Sequence, residues 1–161
     1  HHDTITSMGL NYLKDIAIIV GAIIALFSFA NGILEYIRQG AQKRVEQFVA
    51  LRRRLKENPA FYEICSLLVD DDILLRDLPP QDKRDFLGLL EEVALLSNSG
   101  LIRREVAHYM FGYYAVRCLE SIHFWHDVER ESIYWSLFHD FATQMQKVEK
   151  TFRYKRRKLR F

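Results

Sequence analysis

The stretch IAIIVGAIIALFSFANGIL, residues 16–34, decides how the rest of this chain is read. None of its nineteen side chains is ionisable, and eleven are Ile, Val, Leu or Phe. At about 1.5 Å of rise per residue, a helix of this length spans roughly 28 Å, close to the roughly 30 Å hydrocarbon core of a bilayer. A cleaved signal peptide would call for a basic segment before the apolar run, and only Lys14, offset by Asp15, stands there. Ser28-Phe29-Ala30 is nevertheless a passable cleavage pattern. A core helix of a soluble domain would carry a polar face, and none is visible. The favoured reading is a membrane anchor over residues 10–37.

Charge sets the expected orientation. Between positions 38 and 56 lie seven cations, Arg38, Lys43, Arg44, Arg52, Arg53, Arg54 and Lys56, against Glu46. Positive charge is retained on the cytoplasmic side of inner membranes, so the C-terminal bulk of the chain is expected in the cytoplasm and residues 1–9 outside. His1 and His2 read as a tag remnant, with Met8 as a natural start.

Along the anchor, Gly21, Ala25, Ser28 and Gly32 recur at intervals of 4, 3 and 4, which lines small residues along one side of a helix. Lipid supplies no hydrophobic push between helices, so close backbone approach must supply the attraction, and small side chains permit it. Asn31, beside this seam, can add an interhelical hydrogen bond. Residues 38–57 continue as a basic, helix-compatible stalk whose cations suit anionic lipid headgroups. Asn58-Pro59 is a cap and first-turn pair for a new helix.

Residues 58–158 suffice for one small domain. Pro59, Pro80 and Gly100 punctuate helical patterns, and no run alternates at period two, so the domain is expected to be all-α. One helix is expected over 59–69. A second opens at Pro80, carries Phe86, Leu87, Leu90, Val93 and Ala94 on its buried face, and stops at Asn98-Ser99-Gly100. A third covers 101–120, with Ile102, Val106, Tyr109, Tyr113 and Val116 on one face. Asp70-Asp71-Asp72 reads as a solvated helix end that caps a short turn at 73–75. Finally, Tyr134, Phe138, Phe141, Met145, Val148 and Phe152 repeat at a 3.5-residue period, the mark of a long C-terminal helix packing nearly parallel to a neighbour.

Residues 80–120, PQDKRDFLGLLEEVALLSNSGLIRREVAHYMFGYYAVRCLE, resemble an uncharacterised bacterial family known only as a domain of unknown function. The likeness rests on the Phe86…Leu90-Glu91 helix, the Ser99-Gly100-Leu101-Ile102 junction and the Phe111-Gly112-Tyr113-Tyr114 element, and extends more loosely over residues 41–158. It implies one N-terminal membrane helix with a small helical cytoplasmic domain, in accessory components of bacterial membranes that sometimes lie near defence genes. These motifs are packing and turn features, so the resemblance implies no catalytic residue.

Signatures of chemistry are sparse. Glu105/His108 and Glu120/His123 each match the Glu-x-x-His spacing of di-iron bundles, but 15 residues, roughly 22 Å of continuous helix, separate the two pairs. His123, His126 and Asp127 form a looser candidate metal cluster, although Phe124 and Trp125 point to an aromatic-filled interhelical corner. Cys65 and Cys118 read as buried thiols. No phosphate loop, dinucleotide fingerprint or calcium loop is present. The chain is therefore read as non-enzymatic, without catalytic, cofactor-binding or metal residues and with no cofactor.

Charge is unevenly spread. Residues 57–146 hold seven cations and sixteen acids, whereas residues 147–161 hold eight cations, Arg156 and Arg157 among them, against Glu149. Such a tail suits anionic headgroups or the acidic face of a neighbouring subunit. Nucleic acid is the least favoured partner, since no binding motif accompanies the charge. The expected function is a single-pass module of the inner membrane that acts by assembly, with itself or with a membrane partner protein. The rivals are a membrane-disrupting or signalling effector of antiviral defence, a histidine-metal enzyme and a tethered nucleic-acid binder.

Overall fold

The structure is a computed structural model that describes the backbone of residues 2–151 and the side chains of residues 12–151. Among these residues every regular element is helical, as expected. The chain divides into two compact units, His1–Lys43 and Arg44–Phe161.

The first unit is helical. Helix α1 runs His2–Glu57, and its portion within this unit exposes every side chain from Tyr12 to Gln39. Arg38 pairs with Glu35 one turn earlier, at 2.9 Å, on the exposed surface.

The second unit opens with the end of α1. Phe48, Leu51 and Leu55 repeat at 3 and 4 and are buried in the domain core. Burying such side chains is worth about 1.5–3 kcal/mol each, so this segment is held by packing. The expectation of a stalk over 38–57 is thus corrected: from Arg44 onward the chain is the first helix of the bundle. Phe48 meets Phe111 edge-to-face, ring centroids 5.4 Å apart.

Local chemistry sets the next breaks. Asn58 caps α2 (Pro59–Leu68), its Oδ1 accepting from the backbone N–H of Ala60 at 2.9 Å and of Phe61 at 3.4 Å. Asp72 caps a 3₁₀ turn, Ile73–Arg76, by accepting from Leu74 N–H. Helix α3 (Pro80–Asn98) begins at the expected proline and buries Phe86, Leu87, Leu90, Val93 and Ala94. It ends in a Schellman turn: Gly100 has φ +67°, Leu101 N–H donates to Leu96 C=O and Gly100 N–H to Ser97 C=O.

The segment expected as one helix over 101–120 is broken in phase. Helix α4 (Arg104–Ala107) passes into a π-turn, His108–Gly112, and then into α5 (Tyr113–Glu120). A π-turn inserts a residue into the helical repeat, so the buried stripe after it advances. Phe111, Ala115 and Cys118 take the core positions, while Tyr109 and Tyr113, expected inside, are exposed.

Helix α6 (Ser136–Thr151) packs against α3 and α5. Phe138, Phe141 and Met145 are buried and Val148 is half-buried. Tyr134 is a correction: it lies in a separate 3₁₀ turn, Ile133–Trp135, capped by Ser132, and its side chain is exposed. The seam therefore begins at Phe138. Phe152 lies outside the described residues, as do Arg156, Arg157 and the rest of the basic tail.

Candidate functional site

On α1, Gly21, Ala25, Ser28, Asn31 and Gly32 are all exposed. A Cβ placed on Gly21 or Gly32 would meet nothing within 4 Å, so the seam is open to an approaching helix. Among the described residues, α1 is the one helix long and apolar enough to cross a membrane, and none of its most apolar window is buried.

The basic residues divide by environment. Lys43 is exposed and Arg44 half-buried. Arg53 pairs with Glu57 at 3.9 Å. Arg54 makes a two-pronged contact with Glu92 of α3, Nη2–Oε1 2.8 Å and Nη1–Oε2 3.3 Å, about half exposed. Arg52 and Lys56 have neither an ion pair nor a hydrogen bond among the described residues. Both line a cavity of about 670 Å³ together with Leu55, Tyr62, Cys65, Tyr109, Met110 and Tyr114.

That cavity is built by three segments. Arg52 and Lys56 stand one helical turn apart on α1, Tyr62 and Cys65 come from α2, and the π-turn and α5 supply Tyr109, Met110 and Tyr114. Among the described residues no carboxylate lines it. Burial pushes the Cys65 thiol up to about 12, so it is a neutral part of the wall at ordinary pH. Burial likewise raises Tyr114, whose phenol stays protonated. Sequence reading missed this site, because its lining comes from α1, α2 and the region of the π-turn, and periodicity within one helix does not report which segments meet.

The histidine and acid candidates are used elsewhere. His108 is buried in the π-turn, and burial lowers its pKa, opposed by Glu149. Glu120 pairs with Arg117 and accepts from Gln146. His123 Nδ1 accepts from Arg76 Nε at 2.9 Å, and His126 Nδ1 lies 3.0 Å from Asp127 on the surface. The two Glu-x-x-His pairs are not brought together, and no group of three or more potential ligands converges among the described residues. Both cysteines are buried free thiols, and burial raises Cys118 well above the ordinary thiol range, which disfavours a nucleophilic thiolate.

Residues 121–132 form the aromatic corner expected from Phe124 and Trp125. Phe124 packs between Phe86 and Trp125, Trp125 stacks on His139, and its Nε1–H donates to Cys118 C=O at 2.9 Å. Asp71, expected in solvent, instead anchors this corner: it has φ +49° and accepts from Ser121 Oγ–H and from Ile122 N–H. Lys83 is fully buried, and its Nζ donates to the carbonyls of His126 at 3.0 Å and Arg76 at 3.5 Å. Burial lowers its pKa, while Asp127 and Asp77 oppose that shift.

No family model, curated protein or solved structure matches the chain.

Proposed function

We propose that this protein is a single-pass membrane module that works by assembly: α1 anchors it in the cytoplasmic membrane, and the bundle faces the cytoplasm. The observation that carries the reading is the fully exposed apolar run of α1, which in water would be an untenable surface and in lipid is a satisfied one. The excess of cations after residue 37 supports an inward orientation of the bundle. Anionic headgroups are the proposed lipid contacts of Arg38, Lys43 and Arg44, and of the basic tail.

On this reading the seam of Gly21, Ala25, Ser28 and Gly32 joins α1 to a second copy or to a partner's membrane helix. Non-catalytic action is favoured by the chemistry of the domain: His123 and Glu120 are engaged in separate structural contacts, and burial raises its thiols. The test is cross-linking in native membranes. Gly21→Ile and Ser28→Ile are expected to reduce the cross-linked oligomer severalfold, whereas Ile23→Leu leaves it intact. Equal yields from all variants would remove the seam from the reading.

A further inference from the structure

Arg52 and Lys56 differ from their neighbours in the collar. Arg53 and Arg54 are each matched by a carboxylate, Glu57 and Glu92, whereas Arg52 and Lys56 pair with none among the described residues. Spaced i and i+4, they stand about 5–6 Å apart at Cβ on one side of the helix. Both line a cavity of about 670 Å³, within the roughly 300–1,000 Å³ range of small-molecule sites. Its remaining walls are aromatic and soft: Tyr62 and Tyr114 offer phenol rings, Tyr109 adds to the wall, and Met110 supplies an adaptable apolar contact. Two cations, with no carboxylate among the described lining residues, and an apolar wall that includes Leu55 describe a site for a molecule charged at one end only.

We propose that this cavity binds an amphipathic organic phosphate, its phosphate held by Arg52 and Lys56 and its apolar body lying on Tyr62, Tyr109, Met110 and Tyr114. A phosphate matches the arginine fork and accepts from the ammonium at the same time. The ligand is either a lipid phosphate or a soluble aromatic phosphate, since both present the same chemistry. The proposal is independent of whether α1 crosses a membrane, because the residues all belong to the second unit.

The experiment is titration of phenyl phosphate into the full chain in uncharged maltoside micelles, followed by calorimetry. Saturable binding is expected, with inorganic phosphate at least about tenfold weaker because it lacks the ring. Arg52→Gln and Lys56→Gln should each weaken phenyl phosphate about tenfold or more, the loss of one charge-assisted contact. Arg53→Gln removes the same charge from the collar but not from the cavity, and affinity should change less than about twofold. Tyr114→Ala should bring phenyl and inorganic phosphate together, and circular dichroism confirms that each variant retains its helicity. Competition by phosphatidic acid added to the micelles identifies a lipid source, and its absence a soluble one; either result keeps the site. The proposal is overturned by no saturable binding, by equal affinity for the two phosphates, or by Arg53→Gln costing as much as Arg52→Gln.

Discussion

The imidazole of His108 lies against the bare Cα of Gly112: a Cβ built on Gly112 would sit 2.6 Å from His108 Cδ2 and 3.0 Å from Cγ. Both residues belong to the π-turn and both are buried. The wide turn and the missing side chain are therefore two parts of one arrangement. Gly112 has an ordinary helical φ of −59°, so it is required by space and not by backbone conformation.

Gly112→Ala should destabilise the second unit by about 1–3 kcal/mol, the usual cost of an added methyl in a packed interior. The loss should shrink in a His108→Ala background, where the colliding ring is gone. Denaturant unfolding of the two single variants and the double variant gives the coupling. Additive losses would mean that the ring does not oppose the methyl.

Acid should weaken the same region. Burial holds the His108 pKa below its ordinary 6.5, so the unfolded chain binds more protons in the window just beneath that value. Its contribution is fully present above about pH 6.5 and is lost as pH falls toward the folded-state pKa. His108→Gln cannot titrate, and its unfolding free energy should decline less than that of the parent between pH 7.5 and pH 5. Parallel declines would assign the acid sensitivity to other groups.

Glu91 caps a helix that begins 45 positions further along the chain: its Oε1 accepts from Phe138 N–H at 2.7 Å in the first turn of α6. A carboxylate here satisfies an otherwise orphan amide and opposes the positive end of the helix. Glu91→Ala should cost about 1–2 kcal/mol. Glu92→Ala breaks only the half-exposed pair with Arg54 and should cost less than about 1 kcal/mol. Thermal melts of the two variants rank them directly, and a reversed order would contradict the capping role.

Local signals were legible in the sequence where the chain alone decides the structure. Asn58 before Pro59 caps because its side chain reaches amides two and three residues on, and Gly100 ends α3 because it takes the left-handed conformation. The exposed apolar run of α1 was equally readable, since its composition needs no partner to interpret. Long-range features were not. Lys83 sits in the polar string Gln81-Asp82-Lys83-Arg84, and its burial is made acceptable by the carbonyls of Arg76 and His126 together with the charges of Asp77 and Asp127. Tyr109 and Tyr113 fit a 3.6-residue stripe on paper, but the π-turn shifts the phase between α4 and α5. Tyr134 extended the α6 repeat numerically, although Ser132 starts a separate turn there.

The burial of Phe48, Leu51 and Leu55 fixes where this polypeptide can be cut. A fragment starting at Asn58 would leave an uncovered trough where three greasy side chains belong, inviting aggregation. Trimming that respects the bundle has to keep the final turns of α1, from about Arg44, so the boundary of the smallest self-sufficient piece falls in the middle of a helix and not at the proline that follows it.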